Sequence, residues 1–173
     1  GADLSGANLS AAQLSYCSMK KVTFGESESR PTKLLSTRFF KVDFLEAAFY
    51  NCSFIEAVFD DCILDKVFLS SSNLMFASFE DRPSMQEAAF VDCNLQQAKM
   101  RAVNLNKSRW LNTSAENINL RGADLRGALL SKVQLTSANL LNASLHNLDA
   151  ENVSFKCSEL TGAYAYSATF NRC

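Results

Sequence analysis

The sequence predicts an all-β solenoid, a rod of stacked coils with four sides each. Three observations support this: an apolar residue recurs every five positions, a small residue stands two positions before it, and the pattern continues over nearly all of the 173 residues. A helix would require apolar spacings of three and four, and a half-buried strand a spacing of two. Neither fits a strict period of five, so each five-residue unit is interpreted as one side of a coil.

The units run without drift in three stretches, whose first and last apolar centres are Leu4 and Phe24, Leu34 and Phe79, and Met85 and Phe170. The segment 25–33, GESESRPTK, interrupts the pattern and is predicted to be an exposed loop, because proline and charged residues favour exposure. The segment 80–84, EDRPS, adds one residue. We therefore expect a single domain over 1–173, and its start in mid-pattern suggests a fragment of a longer protein.

A square coil explains why two of every five residues are small or apolar, since these two point inward and the other three face solvent. Four sides make a turn of twenty residues, and successive coils stack at a β-like spacing of ~4.8 Å. Each coil buries its apolar side chains only against its neighbours. Stacking by twenties predicts core columns in the first coils that join Leu14 to Leu34, Met19 to Phe39 and Phe24 to Phe44.

The units ADLSG, ANLSA, ADLRG and ANLLN share the motif A-(D/N)-L-x-x. This motif resembles that of the pentapeptide repeat proteins, and the resemblance covers nearly the whole chain in more than 25 units. It implies a right-handed quadrilateral β-helix, here of about eight coils and roughly 40 Å in length. The family is functionally varied, so the resemblance to its fold does not imply one activity.

The composition and motifs favour a non-enzymatic protein. The balance of 17 basic and 18 acidic residues argues against direct nucleic-acid binding. No phosphate-binding loop, zinc-ligand spacing or catalytic triad is recognisable, so we expect no cofactor, no metal and no catalytic residue. The single histidine, His146, is predicted to lie on the surface between Arg126 and Tyr166.

Five of the six cysteines occupy the small inward position, and Cys157 alone falls on an outward one. No two inward cysteines share a column in adjacent coils, so they are interpreted as buried small apolar residues. Unpaired thiols indicate a reducing compartment, which predicts a cytoplasmic location. No apolar run reaches the ~20 residues of a membrane span.

Apolar residues that face outward are the candidate contact sites, since contiguous exposed apolar surface indicates binding. The predicted partner-contact residues lie in the middle coils and are Leu35, Phe40, Tyr50, Ile55, Phe68, Met75 and Phe76. Val91 and Leu111 form a second, smaller group. One edge carries charges in alternating blocks, from Lys20 through Asp60 and Glu80 to Arg121, and is interpreted as a self-neutralising solvated edge.

These features lead to two function hypotheses. The first is a protein–protein interaction or scaffold module, a rigid rod that contacts a protein partner or a neighbouring domain and that can also associate end to end with another copy. Relatives of this kind occur in bacterial effectors, for which the host cytosol would be the location. The alternative, also taken from the resemblance, is a DNA-mimicking protein that binds DNA gyrase or topoisomerase and confers fluoroquinolone resistance.

Overall fold

The computed structural model describes residues 7–25 and 31–173, and all of their regular structure consists of short β-strands without a helix. The fourteen strands are β1 (Gln13–Ser15), β2 (Thr23–Phe24), β3 (Thr32–Lys33), β4 (Arg38–Phe40), β5 (Ala48–Tyr50), β6 (Cys52–Ser53), β7 (Val58–Asp60), β8 (Phe68–Ser70), β9 (Ser78–Glu80), β10 (Ala89–Val91), β11 (Arg109–Leu111), β12 (Leu129–Ser131), β13 (Asp149–Glu151) and β14 (Thr169–Asn171). Such short strands match a five-residue side, because the remaining residues form the corner.

The strands stack in parallel on the sides of the rod. The largest sheet, called the long sheet below, has eight strands in the order β14-β13-β12-β11-β10-β8-β5-β2. A second side carries the sheet β1-β4-β7-β9, a third carries β3-β6, and isolated parallel bridges alone join the coils on the fourth. These eight levels, joined by about seven turns, confirm the predicted all-β solenoid with four-sided coils.

The interval between stacked residues is 20 through most of the rod, as for Trp110 and Leu130. It is 21 where the chain passes the EDRPS segment, as for Leu69 and Phe90. Two successive residues of that segment, Asp81 and Arg82, have positive φ angles of 54° and 55°. The extra residue is therefore taken up at a corner, and the core columns on either side of it stay aligned.

The columns predicted for the first coil are wrong by one side of the square. Leu14 pairs with Phe39 and Phe24 with Phe49, an interval of 25 residues instead of 20. Five additional residues equal one side, so they leave the five-residue rhythm unchanged while they displace every column. The predicted loop at 25–33 is also too long, because β3 at its end pairs with β6. The part of that prediction on 26–30 lies outside the described residues.

Phenylalanine rings fill the interior of the middle coils. Phe39, Phe59 and Phe79 form a stacked column with ring centroids 4.9 Å apart at each step. Around one coil, rings from adjacent sides meet edge to face, as Phe49 and Phe54 do at 5.1 Å. Burying one such ring typically contributes about 3–5 kcal/mol relative to alanine, so the middle coils have the densest core of the rod.

Local chemistry explains the polar part of the repeat. The Asp or Asn that stands directly before a centre accepts a hydrogen bond from the backbone N–H two residues later. Examples are Asp43 to Leu45 at 3.0 Å and Asn73 to Met75 at 3.1 Å. This Asx turn bends the chain. The residue two positions after the centre then adopts a positive φ, 67° at Gly122, which explains the glycine of units such as ADLRG.

Candidate interaction surface

The predicted contact residues do not form one surface, because they lie on different parts of the square. Leu35, Ile55 and Met75 each follow the centre of the same side in successive coils. Backbone hydrogen bonds join these coils: Ser36 N–H donates to the carbonyl oxygen of Ile55 at 2.9 Å, and Glu56 N–H donates to that of Met75 at 3.1 Å. All three are half-buried, whereas the adjoining Phe76 is 40% exposed. We call this group of four the Leu35 column.

Phe40 lies on the side formed by β1, β4, β7 and β9, away from the Leu35 column. Its ring meets the Tyr16 ring edge-on at 5.2 Å, and Lys41 Nζ lies 5.3 Å from its centroid. The ammonium group also lies 3.9 Å from the Asp61 carboxylate. Phe40 is thus engaged by neighbours within the chain and contributes little free apolar surface.

Tyr50 and Phe68 lie on a third surface, the outer face of the long sheet, with ring centroids 5.5 Å apart. Residues alternate inward and outward along a strand, so the first and last residues of each three-residue strand face solvent. Along β5, β8, β10, β11 and β12 of the long sheet most of these outward positions are apolar. We call them the apolar strip: Ala48, Tyr50, Phe68, Ala89, Val91, Leu111 and Leu129.

The strip continues beyond the predicted residues toward the C-terminal coils. Leu111 is 45% exposed and Leu129 is 46% exposed, in successive coils. Phe68, Val91, Leu111 and Leu129 line a shallow pocket of about 480 Å³. The indole of Trp110 belongs to the core and is only 2% exposed. The pocket is therefore an open depression on a closed β wall.

Charged side chains border the apolar strip. Glu87 and Lys107 lie at the corner beside β10 and β11 and, with Arg109 of β11, line a second depression. Asp149 and Glu151 stand at the ends of β13. Within the part of the chain that the structure describes, none of these five side chains has an ion-pair or hydrogen-bond partner. Their charges are available to a molecule that binds the strip.

Leu129 is an exposed apolar residue of the strip that the sequence pattern did not single out. Val91 and Leu111 were predicted to form a separate, smaller group. The signal was present in the numbering, since Leu111 and Val91 occupy equivalent positions one coil apart and Leu129 stands one coil beyond Arg109. Following the long sheet through all its strands joins both groups into one surface.

The charged edge is only partly paired. Lys41 meets Asp61 and Arg38 meets Asp60, both at 3.9 Å, in adjacent coils. One carboxylate oxygen of Asp60, Oδ1, is buried without a hydrogen-bond partner in the described residues. Burial and the nearby carboxylates of Asp81 and Glu80 raise the pKa of Asp60 above its ordinary value. This edge therefore retains some electrostatic repulsion.

Three of the cysteines predicted to be buried are so, namely Cys52, Cys62 and Cys93, whereas Cys17 is half-buried and Cys173 is exposed. Cys52 Sγ donates to the carbonyl oxygens of Phe24 at 3.5 Å and Tyr50 at 3.4 Å. Cys93, two coils further along the same column, makes the equivalent contacts with the carbonyl oxygens of Leu69 and Val91. Burial raises the pKa of Cys52 to about 12 and those of Cys62 and Cys93 to about 11. Such thiols stay protonated and unreactive at neutral pH. Cys157 is exposed, as predicted.

His146 lies beside Tyr164 and Tyr166, with ring centroids 6.3 and 6.4 Å away. Its predicted neighbour in the column, Tyr166, is thus correct. Over residues 7–25 and 31–173, no three His, Cys, Asp or Glu side chains are grouped to hold a metal ion. Over the same ranges, no helix has the length and apolarity needed to cross a membrane.

The chain is similar to several known structures of repeat proteins. HetL, a pentapeptide repeat protein involved in heterocyst differentiation regulation in the cyanobacterium Nostoc sp. strain PCC 7120, is 22% identical, with a TM-score of 0.55 over 96% of this chain and 84% of its own. A pentapeptide repeat protein of the Arabidopsis thaliana thylakoid lumen is 29% identical over 54% of this chain and 61% of its own, with a TM-score of 0.46. QnrB1, a plasmid-mediated fluoroquinolone resistance protein, is 16% identical over 98% and 91%, with a TM-score of 0.42.

The HetL likeness shows a shared fold and carries no information on activity. No curated protein matches the chain in sequence. The sequence profile of the pentapeptide repeats matches residues 1–27, 52–81 and 118–156, with eight copies of the repeat. These segments make up more than half of the chain, which therefore belongs to the pentapeptide repeat family.

Proposed function

We propose that this chain is a non-enzymatic protein–protein interaction module, a rigid rod that presents an apolar surface to a protein partner or a neighbouring domain. The observation that carries the proposal is the apolar strip, in which Leu111 and Leu129 stay nearly half exposed in successive coils. A run of outward apolar side chains along one sheet is unusual on a solvated surface and is typical of a contact site.

The architecture supports the scaffold part of the proposal. Successive coils are hydrogen-bonded through parallel backbone pairs, as where Leu129 N–H donates to Ser108 and Asp149 N–H donates to Ala128. Continuous pairing on four sides leaves no hinge within 31–173, so surfaces on different coils keep fixed separations. The unreactive buried thiols Cys52, Cys62 and Cys93 fit the cytoplasmic location that we include in the proposal.

The proposal contains two candidate contact surfaces, the apolar strip and the Leu35 column. The strip is favoured because its side chains are more exposed and because unpaired charges border it. In the Leu35 column only Phe76 is strongly exposed. Phe40 belongs to neither surface, and Tyr50 and Phe68 belong to the strip.

Site-specific photo-cross-linking in the native cell tests this proposal. A photoreactive residue at Leu111 reports on the strip, one at Met75 on the Leu35 column, and one at Asn139, a polar outward position of another side, serves as the control. We expect a discrete protein adduct at Leu111 that disappears when Leu129→Glu is added. Adducts of equal yield at all three positions, or none at Leu111, would contradict the strip as the contact surface.

The gyrase-binding alternative is supported by one observation, the acidic residues Asp60, Asp61, Glu80 and Asp81 on adjacent coils. Against it, Arg38 and Lys41 lie 3.9 Å from two of these carboxylates, so the acidic surface is short and partly neutralised. A DNA gyrase supercoiling assay with a fluoroquinolone decides between the hypotheses. Protection of the enzyme at micromolar protein would support the alternative, and no effect would remove it.

A further inference from the structure

We propose that the apolar strip is occupied by a second copy of this chain, which packs its own long sheet against it in the opposite rod direction. This inference rests on the proposed function of the strip as a contact surface, and it names the partner. The two-fold axis would run along the strands between β10 and β11. The same surface would then be used by both copies, as in most symmetric dimers.

The order of the strands fixes which residues meet across such an axis. Strand β11 faces β10 of the second copy, β12 faces β8, and β13 faces β5. Leu111 then meets Val91 of the second copy, and Leu129 meets Phe68 of the second copy. Leu111 and Leu129, the two most exposed members of the strip, thus each find an apolar partner, and symmetry repeats both contacts.

The charges at the border also match in this register. Lys107 meets Glu87 of the second copy, and Arg109, which faces a small alanine, can extend toward the same carboxylate. Neither Lys107 nor Glu87 has a partner within its own chain among the described residues. Glu151 faces Tyr50 of the second copy, whose hydroxyl is a hydrogen-bond donor for a carboxylate.

Three other arrangements place like charges together. An axis through β10 sets Glu87 against Glu87 and Lys66 against Lys107, whereas an axis through β11 sets Arg109 against Arg109. With the rods parallel, Asp149 meets Glu151 of the second copy. Like charges directly opposed across an interface are unfavourable, which disfavours these three arrangements relative to the antiparallel one with its axis between β10 and β11.

The size of the face sets the expected strength of the dimer. Eight strands span roughly 34 Å along the rod, and each three-residue strand presents only its first and last residues, so the contact falls in the small class below about 1,200 Å². We therefore expect a reversible dimer whose population rises with protein concentration, measured by sedimentation velocity of the purified chain.

Two surface variants with matched exposure test the apolar part. Leu129→Glu places a carboxylate against Phe68 of the second copy and should abolish the dimer at every concentration. Ile63→Glu is the control, because Ile63 is 44% exposed but lies on a side without the long sheet. Circular dichroism of both variants verifies that the fold is retained. Equal loss of the dimer in both variants would overturn the proposal.

A charge exchange tests the register. Glu87→Lys and Lys107→Glu should each raise the dissociation constant about tenfold or more, since each sets like charges face to face. The double variant with both substitutions should restore it to within about threefold of the wild type. A double variant whose dimer dissociates as readily as those of the single variants would overturn the proposed register.

The sedimentation result separates this inference from the proposed function. A chain that stays monomeric at the highest concentration, yet forms a Leu111-dependent adduct with another protein in cells, would refute the second copy as occupant and leave the interaction module standing. A dimer with the expected variant behaviour supports the inference, and the adduct at Leu111 should then contain the chain itself.

Discussion

Ser108→Ala should destabilise the protein through one buried hydrogen bond. The indole N–H of Trp110 donates to Ser108 Oγ at 2.9 Å, and the two residues are 2% and 0% exposed. Without the hydroxyl, the indole N–H stays buried without an acceptor, which costs about 1–3 kcal/mol. Alanine itself fits, because Ala88 and Ala128 occupy the same inward position in the coils before and after and are both fully buried.

A double-mutant cycle with Trp110→Phe isolates this contribution. Phenylalanine keeps an aromatic ring beside Phe90, whose centroid is 4.6 Å from that of Trp110, but it has no donor. Ser108→Ala should lower Tm by about 4–8 °C in the wild type, for a loss near 2 kcal/mol. In the Trp110→Phe background it should change stability by less than about 0.5 kcal/mol.

Thermal and urea unfolding of the four proteins, followed by circular dichroism, measure the cycle. Equal costs of Ser108→Ala in both backgrounds would refute the reasoning, since the loss would then come from the serine position and not from its hydrogen bond. A cost below about 0.5 kcal/mol in the wild type would refute it as well, because a satisfied indole would imply another acceptor.

Three further predictions concern corners, thiols and the charged edge. Gly122→Ala should cost about 1 kcal/mol in urea unfolding, because its φ is +67° and the added methyl meets no other atom, whereas Gly25→Ala should cost clearly more since its Cβ would overlap the carbonyl oxygen of Tyr50. The pKa of Cys62 is about 11 in the folded state against an ordinary 9.0, so the thiol loses its proton at lower pH in the unfolded state. The free energy of unfolding should therefore fall as the pH rises from 9 to 11. Cys62→Val should reduce the steepness of this fall by up to about 1.4 kcal/mol per pH unit. Asp60→Asn should raise the free energy of unfolding by at most about 0.5 kcal/mol, because burial and neighbouring carboxylates disfavour its charge; a lower Tm would show that its ion pair with Arg38 dominates.

The period of five was sufficient to predict the fold because the residues within each unit determine the conformation of that unit. The Asn73 side chain caps its own turn, and Leu74 fills the core directly after it. Such local rules are visible in any single unit. The stacking of the first coil was not predictable in this way, since an insertion of five residues keeps the rhythm that the sequence displays. Only the pairing of Leu14 with Phe39 shows that this turn contains five additional residues and that the sides stay aligned.

The candidate surface was harder to predict because it depends on neighbours 20 residues apart. Tyr50 and Phe68 were identified as outward from their place in the repeat, and the structure has them on the long sheet. Whether an outward residue adds to a continuous surface depends on which side of the square it occupies. Phe40 occupies another side, where Tyr16 and Lys41 cover it, and no local pattern distinguishes it from Tyr50.

The two insertions in this rod have the same consequence for inherited change. One extra residue, absorbed at the corner of Asp81 and Arg82, leaves every later coil facing as before. Five extra residues between Leu14 and Phe39 do the same, because these two residues still stack on one side of the square. A lineage can thus lengthen a single turn without redirecting the surface that the later coils present.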